Sequence, residues 1–189
     1  ANSTLLVDLG KSITVNGGLS ALHALGVVFV VVGFAFKVSA VPFHTWAPDT
    51  YEGAPSPITA FLSVASKAAG FIALVTLLFV AFPDASSVWQ PFIWVLSALT
   101  MTVGNVVALR QTNVVRMIAY SSISQGGFVL MPLAVAGMAG VGDSALRAVV
   151  VYLLIYAATN LGMFAVIIAV SRKTRSGSVA SFGGLFSYA

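Results

Sequence analysis

An all-α integral membrane protein is the fold class this sequence predicts, on three observations. The first is composition: 59% of the 189 residues are hydrophobic and 7% are charged, against ~45–50% and ~25% in soluble domains. Nine basic and five acidic side chains cannot clothe a soluble domain of this size. The second is a set of five long apolar segments, each near or above the ~20 residues a helix needs to cross a bilayer. The third is their lack of period-two alternation, which argues against strands and a barrel. The same composition excludes intrinsic disorder, whose chains are poor in apolar residues and rich in charge.

The elements follow in order. Residues 1–16 lack the basic start and apolar run of a signal peptide and read as a leader or loop on the outer side. The first long segment runs from about residue 18 to 51. Unbroken, it would be ~50 Å long at ~1.5 Å per residue, well beyond a hydrocarbon core of ~30 Å. Pro42 is the expected break, because it lacks an N–H and clashes with the carbonyl of Val38. Four further spans are expected over residues 56–82, 87–109, 111–136 and 144–171. The links between them are short, which makes neighbouring helices antiparallel. Together, residues 17–171 read as one transmembrane domain, and residues 172–189 as a basic loop rich in Ser and Gly leading to further helices. Five crossings put Arg110, Arg116, Arg172, Lys173 and Arg175 on one side and Lys11 and Arg147 on the other. That asymmetry predicts a cytoplasmic C-terminal end.

Two lysines carry the functional expectation. Lys67 sits near the middle of the second span, with about eleven helical residues before it and fifteen after. A charge at the bilayer centre costs at least ~2.5–3.5 kcal/mol, so a lysine stays there only if paired, hydrated or deprotonated. A group that gains and loses a proton is the simplest use of such a site; snorkelling to an interface is the alternative. Lys37 lies beside the expected break. Broken helices at membrane depth are tolerated where they line a hydrated cavity; the alternative is a lysine that ends the helix at the surface. His44 follows Lys37 by seven residues and would share its face if the helix resumes. It is either a proton relay or a histidine hydrogen-bonded at the break.

Polar stripes accompany the lysines. Ser121, Ser122 and Gln125 share one face of the fourth span, and Tyr156 and Asn160 one face of the fifth. Such stripes line a water path or bond helices together. Asp49 and Glu52 either collect protons or belong to a solvated turn. The absence of cysteine excludes disulfides, Cys zinc sites and cysteinyl iron–sulfur clusters from this chain. His23 and His44 have no metal-binding spacing, and there is no P-loop, GxGxxG or Ser/His/Asp arrangement. No metal or cofactor is therefore expected here, and no basic run suited to nucleic acid is present.

The motifs Phe36-Lys37-Val38-Ser39, Pro42-Phe43-His44, Trp46, Pro48-Asp49, Tyr51-Glu52-Gly53-Ala54-Pro55 and Ala65-Ser66-Lys67 resemble the antiporter-like membrane subunits of respiratory complex I. The resemblance is strongest to the subunit N type. Gln111-Thr112-Asn113, Arg116, Ala119-Tyr120-Ser121-Ser122-Ile123 and Thr159-Asn160-Leu161-Gly162 extend it from about residue 26 to 182. It implies part of a larger bundle of two inverted five-helix repeats, each with a broken helix. Lys37 would be the lysine of the first broken helix and Lys67 the central lysine of the next. The partner glutamate of Lys37 would lie on an earlier helix, and the second broken helix after Ala189. The family often has Lys where Val115 stands and His where Gln125 stands.

That resemblance implies a multi-pass subunit of a bacterial plasma membrane that couples quinone reduction elsewhere in the complex to proton pumping. NADH, FMN, iron–sulfur clusters and quinone would belong to partner subunits; this chain would contact other membrane-arm subunits of the complex, lipid, protons and water. Two alternatives keep the fold: a subunit of a multisubunit cation/proton antiporter or membrane hydrogenase, and a structural spacer that pumps nothing.

Overall fold

The computed structural model describes residues 5–15 and 19–185, and every long element among them is a helix. In chain order these are α1 (Leu6–Val15), α2 (Ala21–Lys37), α3 (Trp46–Gly53), α4 (Ser56–Ala81), α5 (Ser86–Ala108), α6 (Val114–Leu133) and α7 (Gly142–Thr174). By length and composition α4, α5 with its leading 3₁₀ turn, and α7 can each cross a membrane. Five such spans were expected. Of the other two, α2 has only 17 residues, and α6 is diluted by Arg116, Tyr120, Ser121, Ser122, Ser124 and Gln125.

Residues read as a leader or loop form α1, apart from those outside the described set. Leu6, Leu9, Gly10 and Ile13 fall at i, i+3, i+4 and i+7, a one-faced stripe. That face packs on the end of α4 over Leu77–Ala81. A Cβ on Gly10 would lie 3.1 Å from the Val80 carbonyl oxygen, so glycine permits the close approach.

The first long segment is not one helix. α2 ends at Lys37, five residues before Pro42, and α3 begins at Trp46. Ser39 adopts the left-handed conformation with φ 61°. Ala40 N donates to Ala35 O at 2.7 Å and Ser39 N to Phe36 O at 3.1 Å, the paired bonds of a Schellman cap. Pro42 lies inside the turn that follows, after a cis Val41–Pro42 bond. Two backbone groups of this turn also find side-chain partners. Thr100 Oγ1 of α5 accepts from Val41 N at 2.9 Å, and Trp46 Nε1 donates to Phe36 O at 3.0 Å.

α6 is the central helix. It packs along α5 more extensively than any other pair, then on α7 and α3. Gly104 and Gly127 allow this: a Cβ on Gly104 would sit 2.6 Å from Ser124 N, and one on Gly127 2.7 Å from Met101 Cγ. α7 buries Ala145, Val149, Leu153, Tyr156, Asn160, Phe164 and Ile167, a stripe at helical spacing. Its other faces expose Val150, Leu154, Ile155 and Leu161, as suits a lipid-facing or partner-facing surface. The tail folds back: Val114 N donates to Gly177 O and Val179 N to Thr112 O, each at 2.8 Å.

Candidate functional site

α4 is distorted where its polar residues gather. Its helix widens to π geometry over Leu62–Ser66, immediately before Lys67. Such widening recurs at functional sites because it redirects side chains and frees backbone groups. Ser63, Ser66 and Lys67 all lie at this distortion.

Lys67 is 4% exposed. Its ammonium donates to the Ser122 carbonyl oxygen at 2.8 Å and to Ser122 Oγ at 2.6 Å. Ser122 Oγ also accepts from Tyr156 OH at 2.7 Å, and the Tyr51 side chain lies near the same Ser122 hydroxyl. One serine on α6 thus joins a lysine from α4 and a tyrosine from α7, with a tyrosine from α3 alongside. Beside it, Asn160 Nδ2 donates to Ser63 Oγ at 2.6 Å, and Ser63 donates on to Ala60 O at 2.8 Å. Among the described residues the ammonium has no carboxylate partner; its charge is met by a hydroxyl and a carbonyl.

Lys37 sits at the end of α2 and donates to Ser66 Oγ at 3.0 Å. Its stem lies over Gly70, where a Cβ would stand 3.1 Å from Lys37 Cγ. The two lysines therefore engage consecutive residues of α4, one through Ser66 and one as Lys67 itself. Lys37 is exposed in this chain and Lys67 is not.

His44 does not join them. The face it was expected to share with Lys37 requires a helix through residues 38–45, and the chain turns there instead. Its ring packs edge-on against Tyr120, with centroids 6.4 Å apart. His44 Nδ1 and Ser39 Oγ are buried without a hydrogen-bond partner.

The expected polar stripes meet across a cleft between α6 and α7. Ser121, Gln125, Tyr156 and Asn160 line it with Tyr152, Thr159 and three apolar side chains, and its volume is about 360 Å³. Tyr152 OH donates to Gln125 Oε1. Ser122 belongs to the buried network and not to the cleft lining; Tyr156 belongs to both. Asp49 and Glu52 are not free carboxylates. Both pair with Arg116 Nη1, at 2.6 and 2.9 Å.

Sequence reasoning missed Ser63, Ser66, Tyr51 and Thr100 as partners, and missed the pairing of Arg116. Nothing in the sequence marks which serine faces which lysine. Among the described residues no three His, Cys, Asp or Glu side chains converge on a metal-sized site.

Comparison with known proteins gives this arrangement a family. The model described as NADH:quinone oxidoreductase/Mrp antiporter, transmembrane, matches residues 1–189. NADH-quinone oxidoreductase subunit N of Moorella thermoacetica is 44% identical over 185 residues, 98% of this chain and 38% of that protein. The chain thus spans well under half the length of such relatives. A chain of respiratory complex I from Thermus thermophilus, solved with bound aureothin, is 32% identical with a TM-score of 0.54, over 82% of this chain and 36% of that one. A chain of the Mrp complex from a Dietzia species shares the fold at a TM-score of 0.72 and 20% identity, over 89% of this chain and 30% of its own length. The described chain is a multi-pass helical membrane protein with a buried lysine at its centre, and it belongs to the NADH:quinone oxidoreductase/Mrp antiporter transmembrane family.

Proposed function

We propose that this chain is part of a proton-translocating membrane-arm subunit of an NADH:quinone oxidoreductase, with Lys67 as its proton carrier. The carrying observation is the seat of Lys67: a buried ammonium with no counter-ion among the described residues, held by Ser122 and one hydroxyl away from the cleft. An ammonium so held is an alternately charged group in waiting. As long as it is protonated it donates to the Ser122 carbonyl and hydroxyl; once neutral it accepts from that hydroxyl. The proton leaves through Ser122 and Tyr156 toward the water that Gln125, Thr159 and Asn160 can order in the cleft. Lys37 supplies the coupling. Its positive charge, held beside Lys67 by the hydrogen bond to Ser66, disfavours charge on Lys67, and withdrawing it restores the proton. Expelling one charge against 100 mV requires ~2.3 kcal/mol, the equivalent of a pKa change of about two units at ~1.36 kcal/mol each.

The chain crosses the bilayer five times in this reading, with the first crossing interrupted over residues 38–45 around Pro42. The end bearing Arg110, Arg116, Arg172, Lys173 and Arg175 faces the cytoplasm. Of the described residues, 5–15 lie on the outer side and 172–185 on the cytoplasmic side. His44 stays a candidate relay, with a histidine held at the break by the Pro42 backbone as the alternative. The redox work belongs to partner subunits: this chain has no cysteine for a cluster and no glycine-rich loop for a nucleotide. The 44% identity to a quinone oxidoreductase subunit favours this reading over a cation/proton antiporter, whose likeness is one of fold.

The test is the proton-to-electron ratio of the intact complex in sealed vesicles carrying Lys67→Met. A lower ratio with quinone reduction and assembly retained is expected. An unchanged ratio would make this chain a spacer.

A further inference from the structure

α3 is tied to the start of α6 by four polar side chains. Arg116 Nη1 lies 2.6 Å from Asp49 Oδ1 and 2.9 Å from Glu52 Oε2. Asn113 Nδ2 donates to the other oxygen of Glu52, Oε1, at 3.0 Å. The Asn113 side-chain oxygen Oδ1 caps α6 by accepting from Val115 N at 2.8 Å and Arg116 N at 3.2 Å. The tail reaches the same point through Gly177 and Val179. Deeper in, Ala47 and Tyr51 of α3 pack on Ala119 and Ile123 of α6. Tyr51 then meets Ser122, the residue that holds Lys67. Six residues separate Arg116 from Ser122, ~9 Å of helix.

Resting on the proton-carrying role given to Lys67, we propose that Arg116 is a positioning residue. Its bridge to Asp49 and Glu52 clasps α3 onto α6 and governs access to Lys67 from the positively charged end of the bundle. α3 has only eight residues, too few to hold a helix by propensity alone. It follows the turn at Ser39 and precedes the Ala54-Pro55 link, so its seat depends on what grips it. An isolated exposed ion pair is worth little. Here one guanidinium nitrogen bridges two carboxylates, and Asn113 ties one of these to the cap of the helix that carries Ser122. Loosening the grip lifts Tyr51 off Ser122 and opens a route beside Lys67. Because a single nitrogen makes both contacts, a lysine ammonium can replace it. No member of the clasp carries the proton.

The chain has no cysteine, so an Ala119→Cys reporter under α3 reads displacement directly. The intact complex is labelled in vesicles with a membrane-impermeant maleimide, and the proton-to-electron ratio is measured on the same preparations. Arg116→Gln is expected to raise the labelling rate by about twofold to thirtyfold, the span of effects along coupled contacts, and to lower the ratio while quinone reduction continues. Arg116→Lys is expected to restore both. The double variant Asp49→Asn, Glu52→Gln should reproduce the loss, and carries the same test if Arg116→Gln does not assemble. Unchanged labelling, or an unchanged ratio despite faster labelling, overturns the inference. So does a loss that lysine fails to rescue. Lys67→Met measured alongside separates the two claims: if it lowers the ratio and Arg116→Gln does not, only the clasp is wrong.

Discussion

Lys67 spends two hydrogen bonds on one residue, so Ser122 is the side chain whose loss most disturbs the buried ammonium. Ser122→Ala keeps the carbonyl and deletes the hydroxyl that also accepts from Tyr156. Two buried donors are then left short of an acceptor, at about 1–3 kcal/mol each. The expected outcome is a lower thermal midpoint of the purified complex together with slower proton release. Equal stability and equal pumping would mean that water replaces the hydroxyl at no cost. Lys67 itself was legible in the sequence, because a charge inside an apolar run is costly wherever the helix ends fall. Ser122 was legible only as one of several polar residues on a face. Its role depends on a residue 55 positions away coming within 2.6 Å of it, and spacing along one helix holds no such information. His44 shows the reverse failure: a phase argument across seven residues assumed a helix where the chain turns.

At the scale of elements, the stop of α2 and the seam between α5 and α6 rest on single backbone positions. Ser39 holds φ 61°, a conformation that costs an L residue with a Cβ roughly 1–2 kcal/mol. Ser39→Gly is therefore expected to stabilise, and Ser39→Val to destabilise by more than that, because branching crowds the left-handed region. Thermal unfolding of the two variants side by side checks the order. At the seam, Gly104→Ala drives a methyl to 2.6 Å from backbone that cannot retreat, and overpacking of this kind costs about 1–3 kcal/mol. Gly33→Ala meets nothing within 4 Å and should be neutral. Equal melting of these two would refute the close α5–α6 contact. The length and order of α4, α5 and α7 were readable from apolar runs alone. The early end of α2 was not, because a serine in the left-handed region leaves no compositional mark and Pro42 drew attention to the turn's middle. α1 was readable in principle, from the spacing of Leu6, Leu9 and Ile13, but is too short and polar to stand out beside the long spans.

For the whole molecule, the internal pairing of the two ends of α6 and α7 fixes which loops share a side. Thr112 and Val114 bond to Val179 and Gly177, and Arg116 bonds to Asp49 and Glu52. The 51–55 link, the 109–113 link and the 175–179 tail therefore lie at one end, as the count of positive charges required. Asp84 lies past the far end of α4, at the other. This makes a sidedness prediction that a chain without cysteine tests cleanly. Arg175→Cys and Gln111→Cys should react with an impermeant maleimide from the cytoplasmic face, and Asp84→Cys only from the opposite face. Reaction of Gln111→Cys and Arg175→Cys from opposite faces would break the fold, since the hydrogen bonds between their segments cannot span a bilayer. Reaction of all three with their faces exchanged would keep the fold and invert the membrane orientation, and with it the direction in which Lys67 releases its proton.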